Sequence, residues 1–182
     1  MPTITSSSPR AVASDITRQA LIGLSLTAVH HAYGAYVYRT PWRYHVLLIA
    51  IPAAALIVGS QAVVRADPRG MKGAIARWTF LVTTVVVPVL SFGVFEGLYN
   101  HVVKNALYFT GTATTMMMRL FPPPSYEMPN NLFFEITGML QVVPAALIVR
   151  HLVRMIRVHR PTGGRVRDGA LTVRRGGLDS GG

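Results

Sequence analysis

The 182-residue sequence has no cysteine and few charged residues. Without cysteine the chain forms no disulfide, iron–sulfur cluster or thiolate zinc site, so metal ligands would have to be His, Asp, Glu, Asn or Met. Only 14% of the residues are charged, 51% are apolar, and the mean hydropathy is +0.38. A soluble domain of this size cannot bury so much apolar material, which indicates that a lipid bilayer is the solvent.

Several motif classes are missing as well. The sequence contains no nucleotide-binding loop, no Ser nucleophile elbow, no HExxH and no zinc-deaminase signature. The net charge is +11, yet no aromatic interleaving accompanies the basic tail, so nucleic acid is not an expected partner. A cleaved signal peptide is not expected either, because His30 and His31 interrupt the first apolar run and no small-residue cleavage site follows.

Four apolar segments, 16–38, 44–64, 78–99 and 132–149, are each near the roughly 20 residues that cross a bilayer as a helix. A backbone in hydrocarbon must satisfy its own hydrogen bonds, which favours helices over irregular chain. The sequence therefore predicts an all-α integral membrane four-helix bundle. We divide it into a polar cytoplasmic tail (1–15), a transmembrane domain (16–152) with a long outer loop (100–131), and a basic cytoplasmic tail (153–182) that is predicted to be disordered.

The distribution of basic residues predicts the orientation. With four spans, 14 of the 18 Lys and Arg residues lie on the side of the two termini. The other four lie on the opposite side, and they are Arg39, Arg43, Lys104 and Arg119. Because cytoplasmic loops carry the excess of basic residues, both termini are expected in the cytoplasm of a multi-pass cell-membrane protein.

Ionisable side chains within membrane spans are costly and are therefore functional candidates. Helical rise places members of all four segments in the outer third of the bundle, at a similar depth. Adjacent histidines are about 100° apart on a helix, so at most one of His30 and His31 is expected to face the centre. The candidates for a shared site are His30, His31, His45, Glu96, His101 and Glu135.

Three chemistries fit such a set. Histidine and carboxylate ligands from facing helices would bind a transition metal, with all six candidates as possible ligands. Two histidines would instead bind a b-type haem. Without any metal, a His–Glu pair would serve as acid and base on a lipid or isoprenoid substrate, with Glu96 and Glu135 as the candidate catalytic carboxylates. A purely structural explanation also stands, in which these groups reach toward interfacial water or stabilise helix packing.

These alternatives give three hypotheses for the function. The preferred one is a small multi-pass membrane protein with an outer-facing His/Glu site, namely a metal-dependent enzyme that acts on a lipid-soluble substrate. The second is a non-catalytic subunit of a larger membrane complex, with other membrane subunits or copies of itself as partners. The third is a transporter, for which the inner half of the spans offers few polar residues. Membrane lipids are partners in every case.

The topology predicts a labelling pattern. Because the chain has no native cysteine, single cysteines introduced at Ser6, Ser125 and Gly176 report one site each. In intact cells an impermeant maleimide should label the Ser125 variant and leave the other two unlabelled until the cells are lysed. Labelling at position 6 or 176 in intact cells would contradict the orientation.

Overall fold

The structure is a computed structural model that describes residues 8–159. Residues 1–7 and 160–182, which contain most of the two predicted tails, lie outside the described residues. Of the residues that are described, 84% are helical and none form strands, which confirms the all-α prediction. The helices in chain order are α1 (Pro9–Val37), α2 (His45–Ala66), α3 (Met71–Phe109), α4 (Thr114–Leu120), α5 (Leu132–Leu140) and α6 (Val142–His159).

Three helical segments are long and apolar enough to cross a membrane, and they are Pro41–Ala66, Met71–Phe109 and Leu132–Ile156. Only 28% of the most apolar window of the first is buried inside the protein. An apolar helix that is left this uncovered requires an apolar surrounding. The predicted first crossing, 16–38, is not among the three, because α1 carries more polar residues.

The helices extend beyond several predicted bounds. Helix α1 begins at Pro9, where Ser8 accepts a hydrogen bond from the Ala11 amide and proline occupies the first turn, so residues 9–15 of the predicted tail are helical. Helix α3 continues to Phe109, into the predicted loop 100–131. Helix α6 continues to His159, so the predicted disordered tail starts within a helix.

One face of α1 forms the centre of the apolar core. Val12, Ile16, Ala20 and Leu24 recur every four residues and are buried against α2, α3 and α6. This spacing places them on a single stripe of the helix. The same stripe continues with buried Thr27 and then with histidines, so its outer end is polar.

The middle of α3 is wider than an α-helix. Residues Val85–Val103 form a π-helix, in which each hydrogen bond spans five residues instead of four. Pro88 lies within it and has no amide hydrogen to donate, and the Ser91 hydroxyl donates to the Val86 carbonyl oxygen at 2.8 Å. The wider turn changes which side chains share a face.

Small residues bring α3 close to α6. A Cβ atom added at Gly93 would collide with the Cβ of Ala145, and one added at Gly97 would lie 3.1 Å from Val142 Cγ2. The absence of a side chain at these two glycines therefore lets the neighbouring helix approach closely.

Two glycine-to-alanine substitutions should therefore differ in their effect on stability. Gly93→Ala should destabilise the protein by about 1 to 3 kcal/mol because the new methyl group overpacks the contact with Ala145. Gly59→Ala on α2 has no atom within 4 Å of the added Cβ and should be neutral or stabilising, since alanine is the better helix former. Thermal unfolding in detergent compares the two. Equal melting temperatures would contradict the packing.

Candidate functional site

Four of the predicted candidates lie together, with three histidines around one carboxylate oxygen of Glu96. Glu96 Oε1 on α3 lies 3.6 Å from His30 Nε2 and 3.5 Å from His31 Nε2, both on α1. His101 Nε2 on α3 is 3.5 Å from the same oxygen. All three histidines are buried, and Glu96 is half-buried. We call these four side chains the central cluster.

The π-helical turn of α3 explains how Glu96 and His101 face the same point. In an α-helix two residues five apart are about 140° apart around the axis, because 3.6 residues make one turn. In the π-helical segment Val85–Val103 each turn contains more residues, which reduces this angle and lets both side chains reach the same point.

Glu135 on α5 lies behind the cluster and accepts three hydrogen bonds. Its Oε2 is 2.8 Å from His101 Nδ1 and 2.6 Å from Asn105 Nδ2, and its Oε1 is 3.1 Å from Lys104 Nζ. Lys104 also donates to the Glu127 carbonyl oxygen at 2.7 Å. This bond attaches to α3 the segment between α4 and α5 (residues 121–131), which we call the outer connection. Glu135 is thus held as a charged acceptor that orients His101, rather than as a group that faces open space.

These partners determine which ring nitrogen of two histidines carries the proton. The Thr137 hydroxyl donates to the Phe133 carbonyl oxygen at 2.8 Å, so it accepts the hydrogen of His30 Nδ1 at 3.0 Å. His101 Nδ1 likewise donates to Glu135, which already accepts from an ammonium and an amide. The Nε2 lone pair of His30, and that of His101 when its imidazole is neutral, therefore face the centre of the cluster. His30 Nε2 is buried and makes no hydrogen bond.

The remaining oxygen of Glu96 has a partner of its own. The Asn100 amide donates to Glu96 Oε2 at 2.8 Å, which fixes the carboxylate and leaves Oε1 toward the three imidazoles. Three ligand atoms, from His30, Glu96 and His101, lie within 4.8 Å of one another. This is a spacing that could hold one metal ion.

The other two histidine expectations turn out differently. His31 was expected to face away if His30 faced the centre, but both reach Glu96 because the carboxylate lies between them. His45 lies outside the cluster. It is exposed, its ring stacks with Trp42, and its Nδ1 is 2.6 Å from the Trp42 carbonyl oxygen, although it borders the adjoining cavity.

Several residues of the site were not predicted from the sequence. Lys104 was counted as an outer-loop charge, and the Asn and Thr residues had no assigned role. For those on α3 the signal is a repeated spacing of four and five residues, both of which a π-helical turn brings toward one face, whereas Thr137 lies on α5. The unpredicted members are Asn100, Lys104, Asn105 and Thr137.

A cavity of 340 Å³ adjoins the cluster on the side of α2. His31, Glu96 and His101 border it, together with residues of α2 and of the outer connection. Burial raises the pKa of Tyr126, another lining residue, above its usual range. That phenol therefore stays protonated at neutral pH and can donate a hydrogen bond into the cavity.

Aromatic groups and close backbone contacts confine the cluster. His30 stacks on Phe134 with ring centroids 4.1 Å apart, and a Cβ at Gly138 would collide with the His101 ring. Below the cluster Thr27 donates to Gln141 Oε1 at 2.6 Å, and the core beyond is mainly apolar. Among the described residues, the polar cluster is therefore followed by a core that offers few polar groups for a conduction path.

No family model, curated protein or solved structure matches this chain.

The ion pair behind the cluster predicts a large effect on stability. Lys104→Met should cost about 3 to 5 kcal/mol, because it leaves the Glu135 carboxylate buried without its cation. The double variant Lys104→Met/Glu135→Gln should recover part of this loss. Denaturant titration in micelles gives the measurement.

A matched control is available at the surface. Arg18→Met removes the exposed pair between Arg18 and Asp15 and should leave stability nearly unchanged. If Lys104→Met behaves like Arg18→Met, the buried pair does not stabilise the fold.

Proposed function

We propose that the chain crosses the cell membrane four times as a four-helix bundle with both termini in the cytoplasm. Helix α1 has 29 residues, long enough for a crossing, and it packs against α2 and α6. Its lower apolarity follows from the histidines that it contributes to the cluster. The asymmetry of 14 against 4 basic residues supports the orientation.

Within this bundle we propose a metal-dependent enzyme that acts on a lipid-soluble substrate. The observation that carries the proposal is the central cluster. His30 Nε2 and His101 Nε2 lie 3.6 and 3.5 Å from Glu96 Oε1, and these three residues offer ligand atoms within 4.8 Å of one another. Two imidazoles and a carboxylate are a ligand set used by both zinc and non-haem iron enzymes.

The distances between the ligand atoms fit a first-row transition metal. For metal–ligand bonds of about 2.1 Å, tetrahedral ligand atoms are about 3.4 Å apart. The separations of 3.6 and 3.5 Å from Glu96 Oε1 to the Nε2 atoms of His30 and His101 are close to this value. His101 also donates its other ring nitrogen to Glu135, the outer-shell arrangement that metal-binding histidines usually have.

Catalysis requires an open coordination position and access for a substrate. Three protein ligands leave such a position, as in catalytic zinc sites, and the 340 Å³ cavity adjoins it. A metal ion there would supply Lewis-acid chemistry or activate a water molecule. The protein's own part is to hold His30, Glu96 and His101 through Thr137, Asn100 and Glu135.

A structural role explains less of the geometry. Helix packing accounts well for Lys104 and Glu135, which satisfy each other. It does not account for His30 Nε2, an acceptor that is buried without a donor and faces a carboxylate. A cation between the two groups satisfies both.

The geometry favours a single ion over haem. The rings of His30 and His101 meet edge to face with centroids 4.7 Å apart. A porphyrin plane does not fit between two rings at this separation. His30 and His101 therefore cannot bind the b-type haem that was one of the alternatives from the sequence.

Metal analysis of the purified protein tests the proposal. We expect about one transition metal ion per chain, with Glu96→Gln reducing the affinity by more than about 100-fold, because even loss of an outer-shell partner costs 10- to 100-fold. Reconstitution with Co²⁺ should give visible absorption bands whose intensity reports the coordination geometry.

His45→Gln is the matched control, since His45 borders the same cavity but lies outside the cluster. It should retain metal and the Co²⁺ spectrum. Equal metal content in the wild type, Glu96→Gln and His45→Gln would show that the ion binds elsewhere. Absence of bound metal after supplementation would favour the structural role.

A further inference from the structure

The cavity beside the central cluster has one apolar end and one polar end. Val46 and Ile49 of α2 and Phe92 and Phe95 of α3 line the apolar end. Ile49 is 45% exposed and Phe95 is 52% exposed. Both belong to the exposed apolar surface of α2 and α3, so this end lies toward the hydrocarbon of the proposed membrane.

The polar end contains a buried cation with an unused donor. Arg43 is only 4% exposed, and its Nη2 makes no hydrogen bond. The nearest carboxylate oxygen, Glu127 Oε1, is 3.6 Å away, beyond hydrogen-bond distance. A buried guanidinium donor without a hydrogen-bond acceptor costs desolvation free energy. An acceptor from a bound ligand would remove this cost.

Arg43 is held firmly in this position. Its Nε donates to Thr40 Oγ1 at 2.8 Å, and its guanidinium carbon lies 5.0 Å from the centre of the Trp42 ring and 5.4 Å from that of Phe134. Cation–π contacts of this kind orient the guanidinium plane. His31 Nδ1, which borders the same cavity, is also buried without a partner. The polar end is thus preorganised before any ligand binds.

The charges around the cavity select the type of ligand. Glu96, Glu127 and Glu135 are countered by Arg43 and Lys104, so the protein groups leave one excess negative charge. A divalent metal ion reverses this to one excess positive charge, a step that rests on the proposed function. One monoanionic group then balances the site. Arginine binds planar carboxylates through two parallel hydrogen bonds.

We propose that this cavity binds a long-chain carboxylic acid, with its carboxylate on Arg43 and its chain between α2 and α3. The volume of 340 Å³ is at the low end for ligand pockets and suits a small head with the first part of a chain. The rest of the chain extends past Ile49 and Phe95 into the bilayer. The bound lipid passes His31 and Glu96, which line the same cavity, and it is therefore the substrate class of the proposed enzyme.

Binding of radiolabelled palmitate to the purified full-length protein in a non-ionic detergent tests this inference. Palmitate should bind at least tenfold more tightly than hexadecanol, which has the chain without the charge, and than acetate, which has the charge without the chain. Arg43→Gln should abolish the preference for palmitate over hexadecanol. Arg39→Gln, a change at an exposed arginine in the same turn, should retain it.

A second pair of variants tests the apolar end without touching the buried arginine. Ile49→Trp fills the opening and should weaken palmitate binding at least tenfold. Leu48→Trp is the control, since Leu48 is 77% exposed and does not line this cavity. Equal affinities of these two variants, or equal binding of palmitate and hexadecanol by the wild type, would overturn the inference.

Metal content measured on the same samples separates this inference from the proposed function. Metal together with palmitate selectivity supports both. Metal without selectivity overturns the carboxylic acid and leaves the metal site. Arg43-dependent selectivity in a protein that binds no metal supports the carboxylate site and removes the metal-dependent function.

Discussion

The buried ion pair between Lys104 and Glu135 is the interaction on which the polar half of the structure depends. In a medium of low dielectric constant neither charge is tolerated alone, so the pair ties α3 to α5. Lys104 also binds the carbonyl oxygen of Glu127, which holds the outer connection over the bundle. Glu135 in turn orients His101, and the position of the remaining cluster follows from that ring.

The depth of the cluster was predictable from the sequence, but its rotation was not. Charged residues near the helix ends place His30, Glu96 and Glu135 at one level, because each helix rises by a fixed amount per residue. The facing of Glu96 and His101 depends on the π-helical turn of α3, and an α-helical period puts them on different sides. Pro88 marks a disturbance in that helix but does not specify its form.

Hydropathy also misjudged residues whose partners are distant in the chain. Hydropathy predicts Lys104 as a loop charge beyond the end of a membrane segment. It is only 2% exposed, because it pairs with Glu135, 31 residues later in the chain. Helix α1 is long enough to cross a membrane but carries polar residues that contact α3 and α5. The free-energy cost of placing a charged residue in hydrocarbon depends on its interaction partner, and single-residue hydropathy scales do not include that partner.

The contact between Gly138 and His101 implies a sequence motif by which the site can be recognised. A side chain at position 138 would occupy the space of the imidazole, and position 137 must offer a hydroxyl to His30. A distant relative that retains this arrangement should therefore combine two short strings, E-x3-N-H-x2-K-N on one helix and E-x-T-G on another, after a pair of histidines. This motif would identify proteins with the same site geometry even where the overall sequence identity is low.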